Sequence, residues 1–301
     1  MMKKIKRKII AQGLGGRTIF LPIKWIRENN LDTGDDVEIS FEESGDLILS
    51  NIKKLRQPKE IFLEIEDVRK VSTRMIITNA YRAGFDIIKV KFRGNYKQIE
   101  EIVKNHLIGF EVTKKNDIYL LESISEPNFG DFDKIILRLF HIINDLMSSN
   151  FNDFSKEQVF KIQRYDNFLK RSISLGIFTL QSRQFMWQFL SNLAQISRIL
   201  FHFNNDLVKK EMELGKNEKI IFDKCKKMFS ILMKAYLKKD ISSLQELHKF
   251  EQEIVREDGE EILKKTNKKI FYDLLSLARM IYLSQSPLTG FIQMQRLSNF
   301  K

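Results

Sequence analysis

The spacing of apolar positions changes twice along this 301-residue chain, from strand-like to mixed to helical. Lys6–Ala11 and Thr18–Leu21 are short β-branched or apolar runs that predict two strands. Between them, Gln12-Gly13-Leu14-Gly15-Gly16 has three glycines in four positions, which predicts a loop with positive φ angles. Pro22 presets φ for a first helical turn, and Ile23–Asn30 follows as about two turns of helix. Trp25 and Ile26 face a core there, while Lys24 and Arg27, three apart, share the outer face. Leu31–Asp35 is a turn. Val37, Ile39 and Phe41 then alternate with polar residues as a half-buried strand does, and Glu43–Asp46 turns the chain into Leu47-Ile48-Leu49.

Beyond the basic linker Lys53–Lys59, strands and helices alternate. Strands are predicted near 61–65, 86–92, 107–112 and 118–121, with helices over 67–81 and 96–105. This order describes a small α+β module over residues 60–126. From residue 130 onward the apolar period is helical, and six helices are predicted: 131–149, 155–180, 182–209, 216–238, 240–264 and 266–286. Ile135, Leu139, Ile142 and Leu146 mark one buried face; Leu274, Leu277, Ala278 and Ile281 mark another. Phe185, Trp187, Phe189, Phe201 and Phe203 form an aromatic stripe of core or interface. Short connections between long helices imply antiparallel bundles.

Composition narrows the function classes. The apolar share of 43% is ordinary for a globular chain, and four prolines with 24 phenylalanines exclude a disordered or fibrous one. A single cysteine, Cys225, excludes an intramolecular disulfide framework and any multi-cysteine metal site. It lies on an apolar helix face, where a small core residue is expected. No stretch of 18 apolar residues exists, so no spanning helix is expected, and the reading is of a cytoplasmic protein. The net charge of +12 favours nucleic acid, acidic partners or phosphate.

The charge is segregated. Residues 1–52 carry eight basic residues, Lys3, Lys4, Lys6, Arg7, Lys8, Arg17, Lys24 and Arg27, before any acid. Eight acids follow, from Glu28 to Asp46. One basic half on a small domain can be a nucleic-acid footprint despite zero net charge; the charge alone fits a polar surface split by chance equally well. The glycine cluster is not a phosphate loop, because it lacks Gly-Lys-Ser/Thr and leads into a strand. His141 with Asp145 and His202 with Asp206 are spaced one helical turn apart and would build a mixed metal site only on facing helices; ordinary surface pairs are the expectation. Glu64, Glu66 and Asp67 are read as complements to a helix dipole. No catalytic constellation and no cofactor motif emerges from the spacing, so the chain is read as a non-enzyme.

Gln12-Gly13, the β run closing on Leu21-Pro22, Lys24-Trp25, Leu31, Gly34-Asp35, alternating Val37 and Ile39, and Leu47-Ile48-Leu49 together resemble the SpoVT/AbrB/MazE family of swapped-hairpin DNA-binding domains. Gly15-Gly16 stand where many relatives carry Ser or Thr. The resemblance implies a homodimer with interleaved hairpins forming one barrel. It also implies DNA contact through Lys6, Lys8, Arg17, Lys24 and Arg27. Farther along, Arg74, Tyr81–Asp86, Leu107–Glu111 and Phe168-Leu169-Lys170-Arg171 make the whole chain resemble archaeal PhoU-type phosphate-uptake regulators carrying an AbrB-like domain. That family displays Glu/Asp-x-x-x-Asp metal pairs. The matching stretch here, Leu193–Arg198, has lost its acids, as has Ser276–Met280, so no metal is expected by that route.

The fold expected is therefore multidomain α+β: an AbrB-like swapped-hairpin β-barrel over 1–52, the α+β module over 60–126, and PhoU-like helical bundles over 130–301. Two function classes follow. One is a dimeric DNA-binding regulator, of phosphate uptake or a related response, whose helical region senses a signal or docks a protein partner. The other is an adaptor acting on a transporter or kinase, using the AbrB-like part only to dimerise or to bind a partner. The acid-free basic hairpin favours DNA, since dimerisation alone does not require it.

Overall fold

The computed structural model describes residues 6–13, 15–41, 47–51, 58–66, 69–125, 132–148, 156–178, 180–209, 213–257 and 268–298, and shows a mixed α+β protein. The chain divides into two compact units, Met1–Gln57 and Pro58–Lys301.

The first unit contains two separate two-stranded ribbons and one short helix. Strands β1 (Ile10–Gln12) and β2 (Gly16–Thr18) pair antiparallel, with Gln12 opposite Gly16 at the turn. Gly13 and Gly15 have φ of 61° and 93°, which glycine alone adopts without strain. A Cβ on Gly16 would strike the Gln12 carbonyl oxygen, so the turn excludes any larger residue there. Because pairing closes so tightly, both strands are shorter than the apolar runs suggest. Lys6–Ile9 precedes the ribbon, and Ile19–Leu21 runs past it. Helix α1 (Ile23–Glu28) starts after Pro22 and stops where Asn30 turns left-handed, at φ 51°. β3 (Val37–Phe41) and β4 (Leu47–Asn51) form the second ribbon, Ile39 opposite Leu49. The Glu43–Asp46 turn lies outside the described residues.

The second unit begins with a four-stranded sheet in the order β5-β6-β8-β7. β5 (Glu60–Ile65) pairs parallel with β6 (Ile87–Phe92), with α2 (Lys70–Arg82) as the crossover. After α3 (Tyr96–His106), β7 (Phe110–Lys115) and β8 (Ile118–Ser123) close a hairpin at Asn116, φ 55°. Ile77, Tyr81, Ile88, Val90, Ile99 and Leu121 are the buried centre of this layer. Glu64 of β5 pairs with Lys91 of β6 at 2.7 Å, and no acid lies in the first turn of α2. Glu64 is thus a cross-strand partner and not a dipole complement. Asp67 lies outside the described residues.

Helices α4 (Phe132–Ser148), α5 (Lys156–Ser174), α6 (Leu180–Lys209) and α7 (Lys216–Lys238) follow. A 3-10 turn (Ser242–Gln245), α8 (Glu246–Gln252) and a π turn (Glu253–Glu257) replace the single helix expected after residue 240. α9 (Lys268–Leu283) breaks at Ser284, whose hydroxyl donates to the Met280 carbonyl at 2.8 Å. The chain then resumes as α10 (Gln285–Ser298), a helix the sequence reading omits. Pro287 sits within its first turn, where no intrahelical N–H bond is needed. Leu288, Phe291 and Ile292 of α10 are fully buried. The long α6 packs against α4, α5, α9 and α10. Tyr236 meets Phe140, Phe189 and Phe291 there at ring separations of 5.4, 6.2 and 6.4 Å. The aromatic stripe of α6 is divided: Phe189 and Phe203 lie in this core, whereas Phe201 is only half-buried.

One arginine joins the sheet layer to the helices. α2 ends in a Schellman turn: Phe85 N–H donates to Ala80 O and Gly84 N–H to Tyr81 O, with Gly84 at φ 84°. The turn aims the Tyr81 and Phe85 carbonyls outward, and Arg171 of α5 fills the seat. Its guanidinium donates to Tyr81 O at 3.2 Å, Phe85 O at 2.7 Å and Asp86 Oδ1 at 2.7 Å. The rings of Tyr81 and Phe110 lie 5.1 and 4.9 Å from it. Asp86 Oδ2 accepts the Lys59 N–H at 2.9 Å, so both its oxygens are engaged. Arg171 is 1% exposed.

Candidate functional site

The basic residues singled out in the first unit all lie on its surface. Lys6 and Lys8 precede β1, Arg17 is in β2, and Lys24 and Arg27 are on α1; all five are exposed. Arg17 sits opposite Ala11 across the ribbon, and its guanidinium donates only to the neighbouring Gly16 carbonyl, at 3.1 Å. Lys24 lies 3.7 Å from Glu28 on the same helix, a loose, solvent-screened pair. The short ribbon thus presents Arg17 on an exposed face.

Several apolar residues of this unit are also exposed, while Leu21, Trp25, Ile26, Val37 and Leu49 are half-buried. Ile9, Ile10, Ile19, Phe20, Ile23, Ile39 and Leu47 stand in solvent, Phe20 at 72%. Leu31 is buried. Exposed apolar patches of this kind mark association surfaces.

His141 and Asp145 are exposed on α4. His202 and Asp206 of α6 share a cleft with Lys269, Tyr272 and Asp273 of α9, and neither His141 nor Asp145 lines it. Lys269 closes on Asp206 as an ion pair, so the carboxylate is already matched by a cation. Among the described residues, no group of three or more His, Cys, Asp or Glu side chains is placed to hold a metal ion. Cys225 is fully buried, and desolvation pushes its thiol up to about 12, an unreactive core position.

Sequence reasoning missed a cationic cleft of about 370 Å³ in the second unit. Arg74 and Arg82 of α2, His106 at the end of α3, and Arg198 of α6 converge on it. Asp166 of α5 is its buried carboxylate. Lys170 lies 2.8 and 3.0 Å from the two Asp166 oxygens, and Arg82 is 3.2 Å from Oδ2. Asn167 braces the wall, accepting from Arg82 at 2.7 Å and donating to the His106 carbonyl at 2.9 Å. Burial, then the charges of Arg74, Arg82 and Lys70, push the His106 imidazole down to about 4.

A pH dependence follows. The unfolded imidazole takes its proton near its ordinary value of about 6.5, and the folded one only near 4. Between these values the unfolded state binds more protons, so the contribution of neutral His106 is present above about 6.5 and is lost as pH falls towards 4. The urea midpoint of the full chain is expected to fall between pH 7 and pH 5, and His106→Gln to flatten that fall. An unchanged pH dependence in the variant contradicts this assignment.

No protein-family model matches the chain, and neither the curated proteins nor the solved structures give a match. Function is therefore read from geometry and charge. No helix among the described residues is long and apolar enough to cross a membrane.

Proposed function

We propose that the protein is a homodimeric DNA-binding transcription regulator, its first unit reading DNA and its second unit carrying the signal. The observation that carries this reading is the pairing of two surfaces on one small unit. Exposed apolar side chains call for a second copy, and Lys6, Lys8, Arg17, Lys24 and Arg27 are exposed, Lys24 only loosely paired with Glu28. Two copies present about ten such charges to one duplex. Arg17, beside the tight turn, is suited to reach a base edge in the major groove, whereas Lys6 and Lys8 hold phosphates. By resemblance, phosphate uptake is the response regulated.

The test separates the two roles. Arg17→Ala is expected to cost about 1–3 kcal/mol at a selected site and to relax sequence preference there. Lys8→Ala is expected to weaken binding to every sequence alike and to flatten the salt slope by about one unit. Anisotropy titrations on selected and random duplexes measure both. Equal losses on all duplexes for Arg17→Ala contradict base contact by that residue.

A further inference from the structure

The arginine cleft of the second unit has unbalanced charge. Arg82 and Lys170 share the single buried carboxylate, Asp166. The guanidinium groups of Arg74 and Arg198 have no hydrogen bond or ion pair with any described residue, yet both residues line the same cleft. They come from α2 and α6, and Lys170 and Asp166 from α5, so three helices bring like charges together. Arg82 feels this: burial, with the charges of Arg198 and Arg74, lowers its affinity for its proton, and only Asp166 opposes them. Four cations facing one carboxylate are an unfavourable arrangement in an empty cleft. A doubly charged anion relieves it, because charge-assisted hydrogen bonds to guanidinium are the strong ones.

We propose that this cleft binds a phosphate dianion, free or carried by a small ester. Arg74 and Arg198 hold its oxygens, and Arg82 stays fixed by Asp166 and Asn167 as the third donor. Guanidinium forks match the oxygens of such a group. His106 is neutral here and offers a ring nitrogen without adding charge. The cleft is larger than an inorganic phosphate, and Val71, Met75 and Ala194 line the rest of it. That apolar lining suits the carbon skeleton of an ester. The site lies wholly in the second unit and stands whether or not the first unit reads DNA.

Isothermal titration of the full chain, at ionic strength held constant with sodium chloride, tests it with inorganic phosphate and glycerol 3-phosphate as separate probes. Saturable binding of one equivalent per chain is expected for at least one probe. Preference for glycerol 3-phosphate assigns an ester ligand; equal or tighter binding of phosphate assigns the free ion. Arg198→Gln and Arg74→Gln are each expected to weaken the binding about 10–100-fold. Both side chains reach solvent and lack partners among the described residues, so their melting temperatures without ligand should stay near that of the parent. Lys234→Gln, exposed on α7, should leave the affinity unchanged. No saturation by either probe, or equal affinities in all three variants, overturns the proposal.

Discussion

Replacing Arg171 with methionine is expected to destabilise the second unit by about 3–5 kcal/mol, the cost of breaking a buried charged pair from one side. Methionine fills similar volume, so the loss is electrostatic and not a cavity. Asp86 loses the guanidinium that faces it, and the carbonyls of Tyr81 and Phe85 lose a shared donor. Against a total stability of about 5–15 kcal/mol, this is a large fraction. Arg171→Lys should recover only part, because one ammonium cannot reach two carbonyls and a carboxylate in the plane of a fork. Adding Asp86→Leu to Arg171→Met should also recover part of the loss by removing the stranded charge, while leaving the Lys59 N–H without its acceptor. Urea unfolding followed by circular dichroism measures all three. A loss under about 1 kcal/mol for Arg171→Met contradicts the view that this side chain locks sheet to helices.

Phe20→Asp is expected to convert the dimer to monomer. In an isolated chain the change is nearly neutral, since Phe20 is largely exposed there and surface substitutions stay within about 0.5 kcal/mol. In a two-fold dimer the carboxylate enters the interface twice. Burying unpaired charge costs several kcal/mol per ion, so the dimer should weaken by at least about 1000-fold, or about 4 kcal/mol. Sedimentation equilibrium at micromolar concentration reads the outcome. A parent that is already monomeric, or a variant that remains dimeric, contradicts association through this surface.

Period and turn chemistry made most of the secondary structure legible in the sequence. α2 ends before Gly84 as the pattern predicts, and the Asn116-Asp117 turn closes the β7–β8 hairpin. The last helix expected stops at 286, short of α10, although Pro287 is harmless in a first turn. Arg171 was visible only as part of a family-like segment. α5 packs against α2 and α3 as well as α4 and α6, and only the fold shows Arg171 buried between them. The cleft was illegible for another reason. Residues 74, 82, 106, 166 and 198 are spread over more than a hundred positions and share no spacing; only the fold gathers them. The five basic residues of the first unit were named from the AbrB-like resemblance within a segment of eight basics preceding any acid, and the structure leaves all five exposed.

A salt titration of DNA binding by the intact chain, beside the chain lacking residues 1–57, tests the central claim most directly. If about five of the ten basic side chains of the dimer meet phosphates at once, log K against log[salt] should fall with a slope of roughly −4 to −5. Removing residues 1–57 should abolish that binding despite the net positive charge of the remaining chain. Retained affinity and slope in the shortened chain would contradict the hairpin interface, and no binding by the intact chain at low salt would contradict DNA as the partner and leave the adaptor reading in its place.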